Sequence, residues 1–384
     1  MTPPEDPAGG ARRDSTSGSG PRIHDVTAQA YRYPTLRPEA DGTLSWDATT
    51  LVVVRLALDA GDIEGLGWTY ADVSCVPVIN NVLAGAIRDR PILDMPAAWH
   101  AMQRQIRNLG RPGIVSTALS AVDIAIWDAA ARWLGLPLSR LLGRCHEKVA
   151  VYGSGGFTSE TEQQLTDELI MWSQQRSMPR VKIKIGESWG QAVDRDKSRI
   201  QLARQVIGDR TTLYVDANGG YTVGQAKRMA RYLDDQGVEW FEEPVSSDDL
   251  AGLEMIRSSC RADVAAGEYG YDLAYFGRML PVVDCIQVDV TRCGGYTEWM
   301  RIAAAAAAHG RDVSAHCAPN LSVHCAAATP NFRHIEWFFD HDRLESELFD
   351  GTVDPSDGYA EPRLTAGHGL SLRTEAAQEY AVDV

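Results

Sequence analysis

Seven short apolar stretches of this chain each finish on a residue able to ligate a metal or move a proton. They are 181–184 ending in Lys184, 213–216 in Asp216, 240–242 in Glu242, 264–268 in Glu268, 286–289 in Asp289, 313–316 in His316 and 332–336 in Glu336. Asp216, Glu242 and Glu268 close three consecutive stretches with hard oxygen donors. Three carboxylates with room left for water and substrate suit Mg2+, which prefers octahedral oxygen coordination and keeps several waters. One such acid is ordinarily a helix cap or half of a surface ion pair; three in succession favour a metal. Asn218 and Glu243 stand beside these ligands and are expected to orient them by hydrogen bonding.

The groups that could move a proton come from two places. Lys182 and Lys184 are two apart, so on a strand their side chains share one face. If the strand is covered on both sides, that face is the interior, where the lysines need negative charge opposite them. Mutual repulsion and desolvation are expected to bring a lysine pKa down toward the working pH, as a general base requires. Asp289 and His316 end adjacent stretches, a pairing in which the carboxylate fixes the imidazole tautomer and raises its basicity. His324 competes with His316, but helix-like 323–328 carries it away from the strand end; His24, His100, His146, His309, His341 and His368 are expected to be structural.

These residues need a frame that brings them together. Their spacing, in steps of roughly 20 to 32 residues, is what one strand, one loop and one covering helix occupy in a (β/α)8 barrel of about 250 residues. A parallel barrel gathers the C-terminal ends of its strands around one mouth, so residues far apart in sequence converge. The first barrel strand is expected at 149–152. It leads into the glycine-rich 153–156, which lacks both the Lys-Ser/Thr ending of a phosphate loop and the GxGxxG pattern and reads as a tight turn at the mouth.

The order and type of these residues resemble the enolase superfamily, specifically its mandelate racemase subgroup (the mandelate racemase/muconate lactonizing enzyme family). The likeness is carried by Lys182, Ile183 and Lys184; Asp216, Ala217 and Asn218; Glu242, Glu243 and Pro244; Gly267 and Glu268; then the Asp289 and His316 pair and Glu336. It runs from about Ile23 to the C-terminus. The resemblance implies an α/β fold, a (β/α)7β-type modified TIM barrel under an α+β capping domain. It makes Asp216, Glu242 and Glu268 the Mg2+ ligands and Lys184 the base. Lys182 is then the neighbour that tunes that base and contacts the substrate carboxylate. Enolase-superfamily sites use a Lys or His base with Mg2+ stabilising an enediolate, and a protonated Glu336 is expected to donate a hydrogen bond to that enediolate.

With Lys184 on one face of the substrate and His316 on the other, two reactions are open. Proton return from the opposite face racemises or epimerises; expulsion of a β-hydroxyl by His316 dehydrates. Dehydration of a sugar acid to a 2-keto-3-deoxy acid is the leading expectation, because the subgroup contains many such enzymes. A muconate-cycloisomerase type would carry lysine where this chain has Asp289, whereas Arg292, Gly294 and Gly295 follow as in the racemase subgroup. Tyr269 and Gly270 after the third ligand depart from mandelate racemase itself, so mandelate is a poor substrate candidate. Substrate choice is expected from capping loops around 33–46 and 65–70, with Trp68, Thr69 and Tyr70 as specificity residues. A metal-binding barrel without catalysis is the reading from another class; it predicts loss of Lys184, His316 or Glu336, and all are present.

Composition agrees. A chain of 384 residues accommodates two domains. The expected division is a disordered tail at 1–21, rich in Pro, Gly, Ser and Thr, a capping domain at 22–142, the barrel at 143–357, and a segment at 358–384 that returns to the cap. Within the cap, 50–56 reads as strand and 116–134 as helix. The net charge of -15 speaks against nucleic acid, whose binding needs basic patches. A small-molecule carboxylate, a sugar acid, must therefore be attracted by local cations. Seven scattered cysteines without CxxC spacing argue against a disulfide framework or zinc site and for a reducing cytoplasm. The N-terminus has no basic start followed by an apolar region, and no run is expected to reach the ~18 apolar residues a spanning helix needs, which speaks against secretion and membranes. The chain is expected to form a homo-oligomer, from dimer to octamer.

Overall fold

The computed structural model describes residues 20–384, so the expected disordered tail lies outside the described residues except for its last two positions. Three strands come first among the described residues: β1 (Ile23–Ala40), β2 (Ser45–Leu58) and β3 (Glu64–Tyr70), paired antiparallel in that order. The alternation of β2 decides its two faces. Val52, Val54 and Leu56 enter a core with Trp99, Met102, Leu119 and Val122, while Leu51 and Val53 join the core continuous with the barrel.

The helix Ile114–Leu134 lies on β3. A Cβ on Gly65 would stand 2.2 Å from the Ala125 carbonyl oxygen and one on Gly67 2.2 Å from that of Ala121. Only glycine admits this approach, and it is the reason β3 does not read as a strand in sequence. Gly67→Ala is expected to destabilise the fold by about 1–3 kcal/mol, the usual cost of overpacking, seen as a lower denaturant midpoint with an unchanged slope. The same helix corrects the expectation about apolar runs: by length and composition it could cross a membrane, but 83% of its most apolar window is buried within the fold.

Eight parallel strands form the barrel: β4 (Val149–Gly155), β5 (Arg180–Lys184), β6 (Thr212–Asp216), β7 (Val238–Glu242), β8 (Asp263–Ala266), β9 (Cys285–Val288), β10 (Asp312–Ala315) and β11 (Phe332–Phe338). They pair in sequence order, and β11 pairs back to β4 to close the ring. Tyr152, Tyr214, Trp240 and His334 pack against one another inside it and floor the chamber. Residues 153–155 prove to be strand, not turn, because Trp172 from the covering helix fills the space a side chain at Gly153 would need. Glu268, Asp289 and His316 lie just past their strand ends, whereas Glu336 sits inside β11, paired in register with Tyr152.

After β11 the helix Phe339–Leu348 packs on β11 and β4 and also ties the barrel to the cap. Its Asp340, Glu345 and Glu347 accept hydrogen bonds from Thr49, Tyr70 and Tyr33. The chain continues through β12 (Phe349–Asp350), which pairs with β14 (Ser371–Leu372), and β13 (Tyr359–Ala360), antiparallel to β4. β15 (Ala381–Val382) completes the cap sheet against β1.

Candidate active site

Register brings the first three chemical residues into a row. Lys184 is paired with Asp216 across β5 and β6, and Asp216 with Glu242 across β6 and β7. The outward positions Val181, Ile183, Leu213 and Val215 belong to the apolar core around the barrel, which leaves both lysines facing in. Lys184 Nζ lies 2.5 Å from Asp216 Oδ2. Lys182 Nζ lies 2.8 Å from Glu242 Oε2, 2.7 Å from Glu336 Oε1 and 3.7 Å from Asp216 Oδ2.

This arrangement corrects the expected direction of the lysine pKa values. Burial alone would lower Lys182, but Glu242, Glu336 and Asp216 outweigh it and hold the proton. Burial likewise opposes charge on Lys184, and Asp216 overrides it, so that pKa is also raised. Mutual repulsion is the weaker effect because each ammonium has a carboxylate at closer range. The Lys182 side chain is fully buried among these acids.

Glu336 is corrected for the same reason. Burial favours its neutral form, yet Lys182, His316 and Lys184 drive its pKa below the usual carboxylate range. Ser154 Oγ also donates to Glu336 Oε1 at 2.7 Å. It is an acceptor in this arrangement, not the hydrogen-bond donor anticipated.

Glu268, expected as the third ligand, comes from the loop after β8, and one carboxylate oxygen from each of Asp216, Glu242 and Glu268 lies within 4.8 Å of the others, a group that could hold a metal ion. Asn218 and Glu243 lie beside them. It is the Asn218 backbone N–H that donates to Asp216 Oδ1, at 2.8 Å. Asn218 Oδ1, Glu243 Oε1 and Glu268 Oε2 are buried with no hydrogen-bond partner among the described residues. Burial, then Glu268 and Asp216, push the Glu243 carboxyl well above its usual range.

On the other flank His316 Nδ1 lies 2.8 Å from Asp289 Oδ2. Thr291 holds the second oxygen of Asp289 through its N–H and its hydroxyl, both at 2.7 Å. Burial would raise Asp289, but the hydrogen bond from His316 and the charge of Arg292 lower it, so it stays an anion. The carboxylate therefore claims the Nδ1 proton and leaves Nε2 to face the chamber, 3.3 Å from Glu268 Oε2 and 3.7 Å from Glu336 Oε2. His324, by contrast, lies in the helix Pro319–Ala327, where burial lowers its pKa to about 3.

Sequence matching assigns this architecture. Residues 26–143 match the mandelate racemase/muconate lactonizing enzyme N-terminal domain, and residues 164–377 match the enolase C-terminal domain-like family. The chain belongs to the mandelate racemase subgroup of the enolase superfamily. A mandelate racemase/muconate lactonizing enzyme-like protein from Rubrobacter xylanophilus superposes with a TM-score of 0.90 at 43% identity, over 94% of this chain and 100% of the other. A racemase from Streptomyces coelicolor A3(2), solved with bound magnesium, gives 0.88 at 28% identity over 94% and 100%. An L-talarate/galactarate dehydratase of Salmonella typhimurium is 27% identical over 385 residues, 95% of this chain and 93% of that protein.

As an enolase-superfamily member the protein is a magnesium enzyme, and its residues fit the ion. The donor set is all oxygen, as Mg2+ requires, and the buried oxygens without donors gather around it. Their mutual repulsion is what a divalent cation relieves.

Two groups of residues stand differently from the sequence reading. Trp68, Thr69 and Tyr70 belong to strand β3 rather than a loop. Trp68 stacks on Phe349, Thr69 Oγ1 donates to the Thr291 carbonyl at 2.9 Å, and the Tyr70 hydroxyl donates to Glu345 while its ring stacks on His341. They brace the cap against the site. A cavity of about 610 Å3 adjoins the site, lined by Asn218, Glu243, Tyr269 and Tyr271 and by Thr43 and Leu44 of the β1–β2 turn. That size suits a small-molecule ligand.

Arg292 was legible only as part of a family likeness. In the fold it lies between the two flanks, Nε 3.3 Å from Asp289 and Nη1 3.5 Å from Glu268. Asn218, Glu243, Cys317 and Ala318 all adopt positive φ, between 37° and 46°, although none is glycine. Each follows a chemical residue by one or two positions, which places backbone strain at the rim of the site.

Proposed function

We propose that this enzyme removes the proton α to the carboxylate of a sugar acid and then expels the β-hydroxyl, giving a 2-keto-3-deoxy acid. The observation that carries the reading is the separation of two proton-transfer groups around one carboxylate cluster. Lys184 ends β5 and His316 follows β10, three strand positions apart by way of β11 and β4, and Glu336 of β11 lies in the gap.

Lys184 serves as the base. Asp216, which would be one of the residues holding the ion, would then hold the Lys184 proton less firmly, and Lys182 beside it disfavours a second ammonium. His316, oriented by Asp289, gives a proton from Nε2 to the departing hydroxyl. Lys182 and Glu336 stay paired beneath the reacting carbons and set the potential there. Bound Mg2+ supplies positive charge to the oxygens on which negative charge develops. The barrel wall and cap exclude water, which strengthens each of these interactions.

If His316 instead returns a proton to the same carbon, the outcome is epimerisation, and the similarity to a racemase favours keeping that as the second reading. A panel of sugar acids incubated with Mg2+ enzyme in deuterated water separates the two. Deuterium-labelled keto acid is the expected product. Recovered substrate carrying deuterium with inverted configuration, and no keto acid from any member of the panel, would decide for epimerisation.

A further inference from the structure

We propose that His316 Nε2, Cys317 Sγ and Glu336 Oε2 form a second cation site, selective for a thiophilic divalent ion such as Zn2+ or Cd2+, whose occupation blocks the enzyme. The three atoms make a triangle with Sγ–Nε2 3.3 Å, Sγ–Oε2 3.6 Å and Nε2–Oε2 3.7 Å. A tetrahedral ion bound at about 2.3 Å to sulfur and about 2.0–2.2 Å to nitrogen and oxygen separates its ligands by about 3.4–3.6 Å. The triangle is therefore close to ligand geometry before any ion arrives. All three residues are buried.

The arrangement has a local cause. Neighbours on an extended strand point to opposite faces, so consecutive residues do not ordinarily share a centre. Here β10 ends at Ala315, and φ of 46° at Cys317 and 42° at Ala318 turns the thiol back onto the ring before it. Glu268 Oε2, which accepts no hydrogen bond from the described residues, lies 3.3 Å from the same nitrogen and offers a fourth ligand. Among the described residues one other group of three ligand atoms is as tightly drawn, Asp216, Glu242 and Glu268. That set is all oxygen and suits Mg2+; thiolate and imidazole favour softer ions.

Binding releases the thiol proton to solvent and leaves the metal on thiolate, imidazole and carboxylate. The inhibitory consequence, though not the binding, rests on the proton-transfer role proposed for His316. Cd2+ titrated into Mg2+-loaded enzyme is expected to develop a thiolate-to-cadmium charge-transfer absorption at one equivalent. Product formation from the sugar acid found by the panel should fall in parallel. Cys317→Ser should raise half-saturation by at least about 10-fold, and His316→Asn, which keeps the thiol, should weaken the same band. Excess Mg2+ should not displace it. An unchanged band in Cys317→Ser, or one that fades as Mg2+ is raised, would overturn the site. A Cys317-dependent band with turnover intact would uphold the site and remove His316 from proton transfer.

Discussion

Lys184→Met is expected to lower α-proton exchange by about 10²–10⁴-fold, the usual contribution of a positioned base. Methionine matches the lysine stem in length and cannot take a proton, and Lys182 cannot replace it because it is locked between Glu242 and Glu336. His316→Asn should behave conversely. Loss of the β-hydroxyl should fall by a similar factor, while a substrate epimer presenting its α-proton to Lys184 still exchanges it. Asp289→Asn should resemble His316→Asn in milder form, since the imidazole remains but nothing holds its Nδ1 proton as firmly. Deuterium uptake followed by NMR on both epimers reads all three variants. Keto acid formed at the normal rate by His316→Asn would end the role assigned to that histidine, and normal exchange by Lys184→Met would end that of the lysine.

The metal ligands should separate activity from stability. Glu268→Ala and Asp216→Ala are both expected to abolish turnover, as is exhaustive chelation, because each removes charge from the place where an oxyanion must be stabilised. Their effects on the folded chain differ. Asp216 is the partner of a buried ammonium at 2.5 Å, and losing one member of a buried pair costs about 3–5 kcal/mol. Glu268 has the longer contact with Arg292, at 3.5 Å, and Asp289 would still hold that arginine, so removing Glu268 in chelator should cost less. Urea midpoints measured in chelator give the comparison. Equal destabilisation by the two substitutions would show that Lys184 does not depend on Asp216 for its place.

The barrel residues were readable in the sequence because strands covered on both faces become short apolar runs, and a polar residue at the end of such a run is conspicuous. Asp216, Glu242, Glu268, Asp289 and His316 all stood out for that reason, and the fold assembles them around one chamber. Charge state was not readable in the same way. The lysine values turn on whether a carboxylate lies 2.5 or 6 Å away, and register alone sets that distance. The ionised state of Glu336 is hidden in the sequence for the same reason, because its separation from Lys182 depends on β11 closing against β4. In the cap, Gly65 and Gly67 disguised a strand as a loop. Cys317 had no signal apart from its place beside His316, because a left-handed turn, not side-chain type, aims it inward.

The last strand of the cap has a consequence for how the protein is made. Gln29 of β1 donates a hydrogen bond to the Val382 carbonyl, 353 positions later. At a synthesis rate of about 5–20 residues per second, that edge of the cap sheet waits roughly 20–70 seconds for its partner. During that interval the outer edge of β1 presents unpaired backbone groups while the barrel emerges and closes, and an open edge is where other chains add. A message cut short before Ala381 would leave the entire active-site row encoded and the backbone of Ala30 and Tyr31 without its strand partner, open to pairing with another chain.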